Sequence, residues 1–118
     1  MISFFINFYR FIKIIFKGIK DDSEFRFLLA FICLLLIGST FFYTKFEQWS
    51  IIDAIYFSVM TMATIGYGDL VPTTTVTKIF TIIYTFLSIG AFVTFTAKII
   101  SLVIENRSDQ FLRKFKKK

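Results

Sequence analysis

The residues with the most chemical information form one short run, Thr64-Ile65-Gly66-Tyr67-Gly68-Asp69, in which glycine alternates with ordinary residues. Gly66 and Gly68 accept left-handed backbone angles that other residues resist. Alternation of that kind can turn successive carbonyl oxygens toward one axis, where they replace the water around a cation. Ile65 and Tyr67 then point away from the axis and pack as a cuff. A nucleotide-binding glycine loop is the competing chemistry, but Gly66-x-Gly68-x-x-Val71 lacks the third glycine and no helix opens at the second. Other chemistries have little to work with. The chain holds no His and a single Cys33 set in an apolar run, which closes the common routes to a zinc centre, a Ser-His catalytic site or a disulfide framework. Nothing points to an enzyme or to a resident cofactor.

The segments around this run say what positions it. Residues 54–68 are uncharged, yet the stretch is interrupted by two glycines and closed by Asp69 and Pro72, so it is too broken to cross a bilayer. Ser50-Ile51-Ile52-Asp53 is a helix-start signature, with Ser50 as cap and Asp53 at the positive end of the dipole. The expectation is a short helix over 51–63, descending partway, followed by irregular backbone over 64–69 inside a re-entrant region spanning 45–78. Irregular backbone at membrane depth is tolerated only when shielded by protein or lining a wet cavity, because unpaired peptide groups in hydrocarbon cost several kcal/mol each. The run therefore lines a pathway.

Two charge-free stretches flank the region, residues 27–44 and 79–97, each close to the ~20 residues that cross ~30 Å of hydrocarbon. They are read as an outer span over 25–44 and an inner span over 79–104. Arg26, Lys45, Lys78 and Lys98 sit at their ends, where long stems reach back to the interface. Gly38, Ser39, Ser88, Gly90 and Ala91 are small enough for close helix contact. The composition agrees: the 118 residues are 56% hydrophobic and 20% aromatic, with 18 Phe, more than one small soluble core can hide.

The net charge is +6, which raises nucleic acid as a partner, but the cations are not on a folded soluble surface. Arg10, Lys13, Lys17, Lys20 and Arg26 precede the first charge-free stretch, and Lys98, Arg107, Arg113, Lys114, Lys116, Lys117 and Lys118 follow the second. Basic ends around an apolar middle place both termini in the cytoplasm and demand an even number of spans. Residues 1–20 carry a helical stripe of Phe4, Phe5, Phe8, Phe11, Ile12, Ile15, Phe16 and Ile19 opposite Arg10, Lys13, Lys17 and Lys20, which reads as an interfacial amphipathic helix on anionic headgroups. A cleaved signal peptide fits less well, since the cations are spread through the apolar stretch. Residues 105–118 read as a basic cytoplasmic tail, too short for a ligand-binding domain. No helix carries the repeated Arg of a voltage sensor.

With those residues in place, Thr64-Ile65-Gly66-Tyr67-Gly68-Asp69 resembles the potassium-channel signature, set after a short helix and between two spans as in that family. The resemblance covers residues 20–100 and is similar to the small bacterial NaK-type channels, which also start with a short basic amphipathic segment. It implies an all-α membrane protein of the cell membrane, with two transmembrane helices, a re-entrant pore helix and a filter loop, assembled as a homotetramer. It also implies that the carbonyls of Thr64, Ile65, Gly66 and Tyr67 and the Thr64 hydroxyl form successive dehydrated K⁺ sites, with Gly68 at the outer mouth. Potassium is then the permeant ligand, and no nucleic acid is involved.

The chain departs from the family in places. The founding NaK channel is non-selective and carries Asp where this chain has Tyr67, so the filter here implies potassium preference. Several potassium channels pair a pore-helix Glu with the filter aspartate, but that position is Met60, which leaves Tyr56 or Trp49 as donors to Asp69. The usual hinge glycine of the inner helix corresponds to Ser88, with Gly90 two residues on. Ile89, Phe92, Val93 and Thr96 are candidate pore-facing positions for a hydrophobic gate, or contacts to the outer helix. A mixed Na⁺/K⁺ pore and a non-conducting membrane scaffold are the rival readings, the latter having no use for the glycine-punctuated run.

Overall fold

The computed structural model describes residues 1–117, and those are helical apart from short connections. Four helices follow in order, α1 (Ile2–Asp21), α2 (Ser23–Phe46), α3 (Ile51–Met62) and α4 (Thr75–Lys116). Helices α2 and α4 are each long and apolar enough to cross a membrane, and α3 is a shorter apolar helix between them. The fold is therefore an all-α membrane architecture of two candidate spans around a short helix and a loop.

Helix α4 differs most from expectation. The inner helix was expected to end at 104 and to give way to a tail over 105–118, but it continues without a break to Lys116, and Lys118 lies outside the described residues. No Gly or Pro follows Gly90 to stop it, the Phe111 and Phe115 rings meet one turn apart at 4.9 Å, and Arg113, Lys114 and Lys116 suit the negative end of the dipole. Forty-two residues at 1.5 Å each make about 63 Å, roughly twice the hydrocarbon thickness. The helix also starts at Thr75 rather than 79, because Thr74 caps it: the Thr74 Oγ1 accepts from Thr77 N at 3.2 Å, and the Thr77 Oγ1 accepts from Thr74 N at 3.2 Å. The charge-free criterion had excluded Lys78. Helix α2 likewise exceeds the expected 25–44 by two residues at each end.

The chain packs as two compact units, residues 1–27 with those from 95 onward, and residues 28–94. In the first, α1 lies against the C-terminal part of α4. Gly18 is the close approach, since a Cβ there would sit 2.8 Å from Leu102 Cδ1 and 3.5 Å from Phe25. Phe25 is fully buried and stacks on Phe95 at 5.2 Å. Asp22 closes the elbow between α1 and α2. One carboxylate oxygen caps α2 by accepting from Glu24 N at 3.0 Å and Phe25 N at 3.3 Å, and the other meets Lys98 Nζ at 2.9 Å. The Lys98 hydrogen bond is the main cause that holds the Asp22 carboxyl below its usual range. Phe4, Phe5, Phe8 and Phe16 of α1 are more than half exposed, an apolar surface of the kind that lipid covers.

In the second unit, α2, α3 and the upper part of α4 enclose Tyr43, Ala54 and Tyr84. Tyr43 is the centre of an aromatic cluster, 5.2 Å from Trp49, 5.0 Å from Phe57 and 5.5 Å from Phe80. Each such ring pair adds about 0.5–1.5 kcal/mol beyond the area it buries.

Candidate functional site

Helix α3 positions the loop that follows it. Ser50 caps its start in extended conformation, with Oγ accepting from Asp53 N at 3.1 Å, as the sequence signature anticipated. Ala54, Ser58 and Met62 recur every fourth residue and form its buried face. Ser58 joins three helices. Its hydroxyl donates to the Ala54 carbonyl at 2.8 Å and lies 2.7 Å from the Ser39 hydroxyl of α2, while Tyr84 OH of α4 donates to the Ser58 carbonyl at 3.1 Å. Ser39 and Ser58 are essentially inaccessible and Tyr84 is 2% exposed, so each bond is made where an unpaired group would cost about 1–3 kcal/mol. The depth and angle of α3 are held by polar bonds as well as by packing.

The end of α3 sets the conformation of the loop. Thr64 N donates to Thr61 O at 3.1 Å and Ile65 N to Met60 O at 2.9 Å, the two bonds of a Schellman stop. Gly66 N also reaches Met60 O, at 3.2 Å. The stop needs a left-handed residue just past Ala63, a place usually given to glycine, and here Thr64 takes it with φ 62°. A β-branched residue in that region is strained by about 1–3 kcal/mol, a cost typical of functional positions. Gly66 (φ 54°) and Gly68 (φ 84°) are left-handed too, while Ile65 and Tyr67 are not. Left-handed backbone thus falls at 64, 66 and 68, every second residue.

That alternation has a chemical consequence. In an extended strand successive carbonyls point to opposite sides, whereas alternating handedness turns neighbouring peptide groups the same way. The N–H groups of Thr64, Ile65 and Gly66 are spent on α3, and among the described residues no protein donor reaches the carbonyl oxygens of residues 64–68. Uncommitted backbone acceptors on a stretch of alternating handedness suit a dehydrated cation. Residues 64–69 are all exposed in a single chain, with Ile65 at 49% and Tyr67 at 72%.

Of the two donors considered for Asp69, Tyr56 meets it. Desolvation first, and then the hydrogen bond to Asp69 and its charge, raise the Tyr56 phenol above its usual range. Trp49 lies instead in the aromatic cluster, 5.1 Å from Phe57, and no Trp49–Asp69 hydrogen bond is formed among the described residues.

Glu47 escaped sequence reasoning. It stands one residue past the end of α2, and its Oε1 accepts from Thr77 Oγ1 at 2.6 Å and Thr73 N at 2.7 Å, with Thr74 N at 3.4 Å; Oε2 accepts from Thr73 Oγ1 at 2.7 Å. The carboxylate thereby sits at the positive end of α4 and ties the chain returning from Asp69 to the end of α2. Desolvation pushes this carboxyl up, but the hydrogen bonds from Thr77 and Thr73 outweigh it and bring it to about 2 from an ordinary 4.5. The available signal was a lone acid after a span, followed by a threonine-rich run at 73–77.

On α4 the buried stripe is Thr77, Tyr84, Ser88 and Ala91. Ser88 is therefore a packing residue facing its own unit. Gly90 is exposed and lies in unbroken helix, where a Cβ would meet nothing within 4 Å. Val93 is 58% exposed, Ile89 38% and Phe92 half-buried. Phe86, which the sequence reading passed over, is 76% exposed one heptad before Val93, on the face opposite Ser88.

Comparison with known proteins places this geometry among relatives. Residues 30–105 match a family model described as an ion channel. A two pore potassium channel of Oryza sativa subsp. japonica is 33% identical over 107 residues, which cover 86% of this chain and 30% of that protein. Potassium channel protein 1 of Methanocaldococcus jannaschii is 36% identical over 86 residues, covering 73% of this chain and 26% of that one. The chain thus spans about a third or less of these relatives. A solved calcium-activated cation channel from Tsukamurella paurometabola superposes with a TM-score of 0.64 at 35% identity, covering 73% of this chain and 84% of that one.

Proposed function

We propose that this chain, which belongs to the ion-channel family matched by its residues 30–105, is one subunit of a channel that conducts potassium passively through a pore completed by four copies. The observation that carries the reading is the left-handed backbone at Thr64, Gly66 and Gly68, directly past the stapled end of α3, with the intervening carbonyls free of protein donors. Four such strands around one axis would supply stacked rings of oxygen that replace the hydration shell of K⁺. Thr64 explains its own strain in this reading, because a glycine there would remove the hydroxyl that ends the lowest ring. Ile65 and Tyr67, exposed in one chain, gain their packing from neighbouring copies. The potassium-channel names of the rice and archaeal relatives support the same ion. Both termini face the cytoplasm, where the basic ends meet acidic lipid.

A pore that passes Na⁺ and K⁺ alike is the second reading, favoured by the solved relative being a cation channel. Purified protein in liposomes tests both. The expected result is K⁺-dependent flux and a bi-ionic reversal potential that favours K⁺. Flux without preference selects the second reading, and a silent bilayer with folded protein in it removes both.

A further inference from the structure

The C-terminal part of α4 has two sides, and the single chain uses one of them. Within the unit formed by residues 1–27 and those from 95 onward, Phe95 stacks on Phe25, Lys98 pairs with Asp22 and Leu102 meets Gly18. Asn106, Asp109 and Arg113 continue that side of the helix against α1. Moving each of these positions on by two residues turns about 200° round the helix. The residues reached are Ala97, Ile100, Ile104, Ser108, Phe111 and Phe115, all of them exposed. The four large apolar ones are each more than half exposed.

This open face has a period. In the sequence Ile82, Val93, Ile104 and Phe115 recur every eleven residues, and Ile89, Ile100 and Phe111 do the same. An eleven-residue repeat gives about 3.67 residues per turn, so the stripe runs nearly straight along the helix and suits a right-handed supercoil of several copies. Arg113, Lys114 and Lys116 all fall outside it. Lipid is a poor cover for its lower half, because Thr75 to Ile104 is already about 44 Å of helix and Thr75 to Phe115 about 60 Å, against ~30 Å of hydrocarbon. An apolar stripe that continues past the bilayer marks a protein contact.

We propose that residues 97–116 of α4 pack against the same stretch of the other copies as a parallel four-helix bundle, with Ile100, Ile104, Phe111 and Phe115 in its core. The proposal rests on the reading of the chain as one of four subunits, and it names the surface that holds them in register. The flanks of the stripe fit a ring of identical helices. By helical position Glu105 and Leu112 lie on one flank, and Arg107 and Lys114 on the other. In a closed ring one flank of each helix meets the opposite flank of the next. Glu105 of each copy therefore faces Arg107 of its neighbour at nearly the same height, and within one chain neither makes an ion pair among the described residues. Such flanking pairs fix orientation and register in helical bundles, while the apolar stripe supplies the contact area.

The test is thiol cross-linking of the full-length protein in liposomes, in a Cys33→Ser background. Ser108→Cys lies on the stripe, and Gln110→Cys is exposed on the side that faces α1. Oxidation is expected to convert the Ser108→Cys protein into disulfide-linked dimers and to leave the Gln110→Cys protein monomeric on denaturing gels. Phe111→Asp with Phe115→Asp should abolish the Ser108→Cys cross-link. Glu105→Arg should reduce it, and adding Arg107→Glu should restore it, because the pair is rebuilt with its charges exchanged. Equal yields at the two cysteines mean random collision and overturn the bundle. Quenching of Phe111→Trp, in a Trp49→Phe background, by brominated acyl chains assigns the stripe to the bilayer and overturns it too. If native mass spectrometry shows tetramers while Ser108→Cys stays uncross-linked, the bundle is refuted and the pore reading stands. A protein that cross-links through Ser108→Cys but passes no K⁺ refutes the pore and not the bundle.

Discussion

Replacing Glu47 tests whether the chain returning from the glycine-punctuated run is anchored as the hydrogen bonds indicate. Three of its contacts are 2.7 Å or shorter, two of them from one threonine and one from Thr77, whose side chain is fully buried. A hydrogen bond to a charged group contributes about 1.5–3 kcal/mol when well shielded, and partial exposure of the carboxylate reduces that to about 1–2 kcal/mol for the Glu47–Thr77 pair. Glu47→Ala alone also strands Thr73, so a double-mutant cycle with Thr77→Val is the cleaner measure. Trp49 is the single tryptophan, two residues after Glu47, and packs against Tyr43 and Phe57, so its fluorescence reports unfolding of this region directly. Denaturant unfolding in detergent should give a coupling of about 1–2 kcal/mol at pH 7. The pH dependence has a definite sign. The carboxyl is lowered from 4.5 to about 2 in the folded protein, so its contribution is complete above the unfolded value and is lost as the pH falls toward about 2. A coupling below about 0.5 kcal/mol at pH 7, or one that is the same at pH 7 and pH 2, would refute the clamp.

Three further outcomes are expected. If the proposed pore holds, Tyr67→Asp should bring the bi-ionic reversal potential toward zero, because a carboxylate there would remove the aromatic cuff proposed to space the carbonyl rings; an unchanged potential removes Tyr67 from the selectivity argument. Gly90→Ala should stabilise α4 by up to about 1 kcal/mol, as its Cβ meets nothing; if α4 bends at Gly90 on opening, single-channel open probability falls with it, and an unchanged open probability excludes a hinge there. Lys98→Met should release the Asp22 carboxyl toward its ordinary range, measurable by NMR titration of Asp22, whereas Glu24→Gln should not, since it removes a second carboxylate that shares Lys98 Nζ, at 3.3 Å, and leaves the Asp22 pairing in place.

Much of the protein follows from local pattern. The two apolar runs, the serine that caps α3 and the glycine alternation at 66 and 68 are each properties of neighbouring residues, and so the helical membrane class and the channel family were legible before any coordinates. Element ends were less so, because a charge-free criterion ignores caps: Thr74 starts α4 before Lys78, and nothing between residues 105 and 116 stops it.

Tertiary structure alone decided the rest. Thr64 is the exception, a local feature still missed: its left-handed angle goes with the Thr61 carbonyl accepting from Thr64 N and the Met60 carbonyl from Ile65 N and Gly66 N, and no spacing rule reports it for a threonine. Ser39, Ser58 and Tyr84 read as ordinary small or aromatic filler until three helices bring them to bonding distance. Glu47 reaches Thr73 and Thr77 across 26 and 30 residues. Helical period and turn preference act over a few residues, within the reach of one backbone hydrogen bond, whereas these contacts exist only after the chain has folded back on itself and made distant side chains neighbours.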